Sequence, residues 1–297
     1  RKQKGFIKGA FSQYLSPTVI DQIVENPDML QLGGEKREMT PFFSDIQGFS
    51  TISEGLTPEE LVQLLNEYLT AMCDIVSSYH GTIDKFEGDA IIAFWGAPLE
   101  LPDHATIACH AAIDMQKKNE EMRKTLREQN RPMLYTRIGM SSGPVVVGNM
   151  GSADRMDYTM MGDVVNLAAR LEGVNKFYQT FTMIPQSTYE LAKDDIDTRQ
   201  LDIIRVVGKK EPISVYEVLE RKNQTSSEKS GVVEKYLKAL KLYEERNFAD
   251  ALKEFEKVLA IDQDDGPSQT YVKRCGVFLE TPPEKDWDGV YTFTEKG

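Results

Sequence analysis

Residues 84–95 read D-K-F-E-G-D-A-I-I-A-F-W, two short strands joined at Glu87-Gly88. The apolar run from Ala90 to Trp95 has the character of a buried strand, and Gly88 supplies the backbone freedom of a tight turn. A hairpin needs nothing more than that glycine and its two strands. Lys85 and Asp89, on either side of the turn, are surplus to folding and are left for another purpose.

The flanking sequence makes this hairpin the middle of a larger pattern. Upstream, M-T-P-F-F-S-D-I (residues 39–46) is strand-like. T-P-E-E then opens a helix as a capping box from Thr57 to Glu60, with Leu61, Leu64, Leu65, Tyr68, Leu69, Met72, Ile75 and Val76 on one face. Downstream, a second helix is expected over about 103–128, and Y-T-R-I-G-M-S-S-G and P-V-V-V-G-N-M-G give strand signals broken by glycines. The order β, α, β, β, α, β is the ferredoxin-like split unit, an α+β arrangement with an antiparallel sheet against two helices. Beyond it lie M-D-Y-T-M-M, a helix expected over about 163–177, and closing strands near 199–207 and 213–219.

The ends of the chain differ in character. Residues 1–37 read as a helical lead-in, with Phe6, Ile7, Phe11, Tyr14 and Leu15 at mostly helical spacing and Ser16-Pro17 restarting a helix. Residues 38–220 hold the alternating pattern. The stretch 221–231, R-K-N-Q-T-S-S-E-K-S-G, lacks apolar side chains and reads as a linker. Residues 232–297 form a helical extension, with two amphipathic helices expected over 232–262. There Ala239 and the A-x-x-x-F of Ala251 and Phe255 resemble a single tetratricopeptide repeat, although Gln263 stands where that repeat usually has proline. Such a unit has too few apolar positions for a core of its own, so it should dock on another tail or on the preceding domain.

Composition narrows the function classes. The chain has 297 residues, 35 basic against 47 acidic, for a net charge of −12, which disfavours binding of nucleic acid through a general basic surface. Any anionic ligand must be met locally. Three cysteines, Cys73, Cys109 and Cys275, lack the number and spacing of a disulfide framework or a zinc site, so a reducing, cytoplasmic setting is expected. No run approaches the length of a membrane span.

Two carboxylates carry the first chemical signal. Asp45 ends the first strand and Asp89 sits at the hairpin turn, positions that can lie side by side in a ferredoxin-like sheet. Like charges brought together repel, and a cation is the simplest remedy. Taken singly, each is also an ordinary strand-end or turn aspartate, just as Lys85 taken singly is a solvated strand lysine.

Taken together, F-S-D-I-x-G-F-S (43–50), D-K-F-E-G-D (84–89) and Y-T-M-M-G-D-V-V-N-L-A-A-R-L-E (158–172) closely resemble the class III nucleotidyl cyclases, adenylate cyclases of bacterial type above all. The resemblance covers 38–219 and continues through I-I-R-V-V-G-K-K-E-P-I-S-V-Y-E-V-L. It implies the class III cyclase fold and conversion of ATP to 3′,5′-cyclic AMP and pyrophosphate in second-messenger signalling. It also implies two divalent cations, Mg²⁺ or Mn²⁺, held by Asp45, Asp89 and the backbone carbonyl of Ile46. By the same resemblance Lys85 and Thr159 read the purine: an ammonium donates to N1 of adenine and a hydroxyl accepts from its 6-amino group. Asn166 orients the ribose, Arg170 stabilises charge on the α-phosphate, Lys209 contacts the outer phosphates, and Phe49 and Ser50 lie on the substrate side. Many relatives carry arginine where Gln47 stands and aspartate where Thr159 stands.

Members of this family form head-to-tail homodimers, so the resemblance places Asp45 and Asp89 of one protomer opposite Lys85, Thr159, Asn166, Arg170 and Lys209 of its partner. The segment before residue 38 also looks like that preceding the domain in bacterial members, which leaves room for a membrane-anchored sensor domain upstream of Arg1. Two rival readings stand beside this one. A guanylate cyclase is disfavoured by Lys85, where guanine readers place a carboxylate; a silent cyclase-like scaffold working through its tail is disfavoured by the presence of both aspartates, Asn166 and Arg170.

Overall fold

The computed structural model describes residues 17–25, 31–152, 154–206 and 210–293; the lead-in positions Phe6 to Ser16 lie outside them. A first helix, α1, spans Pro17–Glu25.

Strand β1 (Gly33–Ile46) organises the sheet because its two halves have different partners. Its first half, Gly33 to Met39, pairs antiparallel with β5 (Gly143–Gly151), which in turn pairs with β6 (Met156–Met161). Its second half, Thr40 to Ile46, lies between β3 (Ala90–Trp95) and β4 (Thr136–Met140). The strand starts well before the expected Met39: G-G-E-K-R-E is polar and exposed, so only its pairing with β5 identifies it. Outside β3 runs β2 (Thr82–Glu87), giving the central order β4-β1-β3-β2 of the ferredoxin-like unit.

Two helices and a short one join these strands. After β1 comes α2 (Phe49–Glu54), then α3 (Pro58–Ser78), whose N-terminus carries the expected capping box: Glu60 N donates to Thr57 Oγ1 and Thr57 N donates to the Glu60 carboxylate. Helix α4 (His104–Glu128) follows β3. Leu64, Tyr68, Met72 and Val76 of α3 meet Ala108 and Ala112 of α4 over Phe42, Trp95, Ile138 and Met140 of the sheet.

Gly139 sits between Ile138 and Met140 and therefore faces the other side of β4. There α5 (Asp163–Tyr178) lies so close that a Cβ on Gly139 would come within 2.2 Å of Glu172 N and 2.3 Å of Ala168 O. The sheet is thus covered by α3 and α4 on one face and by α5 on the other. It then extends through β7 (Thr182–Pro185), α6 (Gln186–Ala192), β8 (Ile196–Arg205) and β9 (Ile213–Arg221), in the order β4-β7-β9-β8. Strand β7 and α6 carry no sequence signal long enough to show a period.

The C-terminal helices pack on this second face. They are α7 (Ser227–Glu244), α8 (Phe248–Leu259) and α9 (Gly266–Glu280), and a two-residue strand, β10 (Tyr291–Thr292), pairs parallel with β8. Ser226 caps α7 through Lys229 N, so the helix begins before Val232. Helix α9 has no counterpart among the helices expected from the sequence, although Asp265 as cap and Pro267 in the first turn are start signals. Ala239, Ala251 and Phe255 are buried, in one cluster with Leu171, Val174 and Tyr178 of α5 and Leu201 and Ile204 of β8. Of the two expected docking modes, packing on the preceding domain is the one observed. Trp287, in a stretch without a readable motif, packs edge-on or tilted among Tyr243, Phe248 and Phe278 at ring separations of 5.8, 5.9 and 5.2 Å.

Polar groups stitch this interface. Tyr236 and Tyr271 both donate to the carbonyl of Leu201 at 2.9 Å. Arg199 of β8, 1% exposed, bridges Glu217 at 2.6 Å and Asp265 at 2.7 Å. Burial alone would raise the Asp265 carboxyl, but Arg199, Ser268 and Lys229 outweigh it and hold it below the usual aspartate value. A depressed folded-state value means stabilisation that is present above the unfolded-state value and lost as pH falls through the folded one. Asp265→Ala should therefore cost about 3–5 kcal/mol in urea unfolding at neutral pH, the scale for breaking a buried pair. The gap between wild type and variant should close as the medium is acidified below the carboxylate range.

Candidate active site

The β1 end and the β2–β3 turn meet at one sheet edge. The ladder pairs Ser44 with Ile91, so the next positions bring Asp45 and Ile46 opposite Ala90 and Asp89. Gly88 takes φ +64°, which turns the chain so that Asp89 points back to β1. There the Asp89 carboxylate accepts from Ile46 N at 2.8 Å. Partial burial and contact with the Asp45 carboxyl push Asp89 up to about 7, while the Ile46 N–H opposes the rise. The expected side-by-side carboxylates are thus formed, and the Asp45 carboxyl makes charge on Asp89 costly.

A cation is one chemical answer to that cost, and the donor set fits a hard divalent ion. Among the described residues no group of three or more His, Cys, Asp and Glu converges on a metal position. Two carboxylates would therefore hold an ion only with oxygens from elsewhere, such as a backbone carbonyl, water or a phosphate-bearing ligand.

Arg137 is a site residue that the sequence reading missed. It stands opposite Asp45 in the β1–β4 ladder, with its guanidinium 3.5 Å from the Asp45 carboxylate. Glu172 of α5 holds the same guanidinium at 2.9 Å. Arg137 is thus shared between two acids and 14% exposed. A lone arginine in a strand gave no signal of this; only the register supplies it.

Glu172 also orients α5. Positions 170 and 172 are about 200° apart on a helix, so with Glu172 turned to Arg137 and Asp45, Arg170 faces away from the carboxylates. Asn166, four residues earlier, shares the face of Arg170. Asn166 is exposed and Arg170 half-buried, and among the described residues neither side chain makes a hydrogen bond or ion pair. The chain therefore brings Asp45 and Asp89 together but turns Asn166 and Arg170 elsewhere.

Lys85 and Thr159 do converge, through a third residue. The Thr159 hydroxyl donates to Asp84 Oδ2 at 2.5 Å, and the Lys85 ammonium lies 3.7 Å from Asp84 Oδ1. Phe49 opens α2 and is half-buried against the α3–α4 core, and Ser50 is exposed with its carbonyl accepting from Ser53. Neither is joined to the carboxylate pair by a hydrogen bond. Lys209 lies outside the described residues.

The chain is similar to known proteins over the region that holds this site. Residues 34–220 match the family model described as the adenylate and guanylate cyclase catalytic domain. The chain belongs to that family. Adenylate cyclase 1 of Rhizobium meliloti is 35% identical over 209 residues, which is 70% of this chain and 31% of that protein. This chain thus spans about a third of the length of that relative. Among solved structures, the adenylyl cyclase CyaB from P. aeruginosa superposes with a TM-score of 0.60 at 38% identity, covering 66% of this chain and all of that one. The guanylyl cyclase Cya2 gives the same TM-score at 35% identity, over 65% of this chain and 97% of that one. The class III cyclase fold expected from the three motifs is therefore the fold of this cyclase domain. Its neighbours thus include both an adenylyl and a guanylyl cyclase. Among the described residues of this cyclase chain, no helix is long and apolar enough to cross a membrane.

The carboxylate pair makes a direct prediction for the cyclase domain. Asp89→Asn keeps an acceptor for Ile46 N and removes the repulsion with Asp45. The metal-free variant should melt at a higher temperature than wild type, as expected where a site is held under strain for function. Calorimetric titration with Mn²⁺ should show binding to wild type and its loss in the variant; undiminished Mn²⁺ binding would detach the pair from any metal role.

Proposed function

We propose that the domain converts ATP to 3′,5′-cyclic AMP and pyrophosphate at a site shared between two copies of the chain. The observation that carries this reading is the division within one protomer. Asp45 and Asp89 are pressed together at one sheet edge, while Asn166 and Arg170 stand without partners on the opposite side of α5. Each half lacks what the other offers.

In this reading the ribose 3′-hydroxyl oxygen attacks the α-phosphorus of the same nucleotide and the bond to pyrophosphate breaks. Divalent cations, when bound at Asp45 and Asp89 with the Ile46 carbonyl, supply the charge that neutralises the triphosphate and acidifies the attacking hydroxyl. Arg170 contributes a planar, permanently charged fork to the equatorial oxygens of the α-phosphate, where negative charge accumulates. Asn166 holds the ribose so that its 3′-oxygen faces the phosphorus. Lys209 would meet the outer phosphates, and Phe49 and Ser50 would flank them from the helix after Asp45.

Adenine is the preferred base because of Lys85. Its ammonium has donors only, which suits N1 of adenine and opposes the N1–H of guanine. Its side chain is 41% exposed, so a ligand can reach it.

A head-to-tail pair of chains with two-fold symmetry would close two such sites. Lys85 and Asp89, four residues apart, would then serve different sites, which puts the β2–β3 hairpin at the interface and answers for both residues that the hairpin itself does not need.

Incubation with ATP or GTP and either Mg²⁺ or Mn²⁺ should yield cyclic AMP in preference to cyclic GMP. Exclusive formation of cyclic GMP would favour the guanylate reading, and no cyclic product from either would favour the scaffold. Asp45→Ala and Arg170→Ala should each be inactive alone. Mixed at equal amounts with free subunit exchange, they should recover about one quarter of wild-type activity, since half the dimers are mixed and each of those has one intact site. No recovery, with exchange confirmed independently, would rule out a shared site.

A further inference from the structure

We propose that Asp84 sets the hydrogen-bond polarity of Thr159 and so selects a purine that carries an amino group at position 6; this rests on the base-reading role given above to Lys85 and Thr159. The first observation is a bulge in β2. Ile83 pairs with Ala93 and Lys85 with Ile92, so Asp84 is an extra residue in the strand. Alternation would send Asp84 and Lys85 to opposite faces of the sheet. The bulge cancels that alternation and brings the Asp84 carboxylate within 3.7 Å of the Lys85 ammonium.

The second observation is burial. The Asp84 side chain is 3% exposed, against 41% for Lys85. Asp84 is therefore out of reach of a ligand base and acts through its neighbours. Burial raises its carboxyl above the usual aspartate value, and Thr159 and Lys85 counter that rise, with Asp157 adding to it.

The third observation is the direction of one hydrogen bond. A carboxylate accepts only, so the Thr159 hydroxyl donates to Asp84 Oδ2, at 2.5 Å. A hydroxyl has one proton. With that proton committed to Asp84, Thr159 presents only lone pairs, and those suit a donor on the base. The 6-amino group of adenine satisfies them. The 6-oxo group of hypoxanthine or guanine would meet oxygen against oxygen. Lys85, held by the same carboxylate, presents donors to the adjacent ring nitrogen. One buried acid thus fixes the acceptor and the donor of the reader as a unit, and Asp84 is a positioning residue for specificity.

The test compares ATP with inosine triphosphate, which differs from it in the purine at N1 and C6, in the full chain with Mn²⁺. Each nucleotide is read both as kcat/KM for cyclisation and as binding affinity. Asp84→Asn keeps the size of the side chain but can donate to Thr159, freeing the hydroxyl proton for a 6-oxo group. The ratio favouring ATP should fall by roughly tenfold or more, the scale of one mismatched buried polar contact. Thr159→Val, which has neither donor nor acceptor, should lower the ratio on its own, and adding Asp84→Asn to it should lower the ratio by less than Asp84→Asn does in the wild-type chain. A general loss of fold would depress both nucleotides alike and leave the ratio in place. An unchanged ratio in folded Asp84→Asn, or two independent and additive falls, overturns the role of Asp84. Should Asp84→Asn not fold, an unchanged ratio in Thr159→Val overturns it instead. A wild-type chain indifferent to the two nucleotides overturns the base reading of Lys85 and Thr159, and this proposal with it.

Discussion

The close approach of α5 to β4 at Gly139 is the constraint on which the rest of the arrangement depends. Any side chain there would collide with the helix backbone at Ala168 and Glu172. With the helix seated at that distance, Glu172 reaches Arg137, Arg137 reaches Asp45, and the helix face bearing Asn166 and Arg170 is turned away. The far end of the same helix presents Tyr178, whose hydroxyl donates to Asp202 at 2.6 Å beside Arg274 of α9. One contact thus sets the rotation of a helix that carries Asn166 and Arg170 near its start and the C-terminal extension at its end.

Electrostatics at the sheet edge run against stability. Asp45 and Asp89 are placed by a strand ladder and a left-handed glycine turn, neither of which yields to relieve them. Arg137 relieves only part of the repulsion, because Glu172 competes for its charge. Structures tolerate such conflict where it serves a ligand, and a site that is costly when empty binds a cation more tightly for that reason.

The C-terminal helices are part of the domain's second core rather than an appendage. Their aromatic residues share one cluster with α5 and β8, and Arg199 is buried between an acid from β9 and one from the extension. Removing them would strip apolar surface from α5 and leave Arg199 with a single partner, so the extension and the helix bearing Arg170 are energetically linked. Buried ion pairs of this kind add little net stability over apolar packing but fix orientation strongly, since a broken pair is costly.

Much of this was legible in the residues themselves. The β-α-β-β-α-β order follows from local periodicity, capping residues and glycine turns, and the pairing of Asp45 with Asp89 follows from that order, because strand ends in a known topology have known neighbours. The family was carried by three motifs, and the roles proposed for Asp45, Asp89, Asn166 and Arg170 rest on the same motifs. What the chain order could not carry were contacts made across long sequence separations with no local period: the polar start of β1, the four-residue β7, Arg137 beside Asp45, and the docking of α9. The role proposed for Asp84 belongs to the same class. In the sequence it is one more aspartate before a lysine; a bulge in β2 and a hydroxyl from a strand 75 residues away give it direction. Residue types and their spacing along the chain determined which chemistry was present, and tertiary packing decided which atoms face each other, because hydrogen-bond polarity and charge sharing depend on distances that only the folded backbone sets.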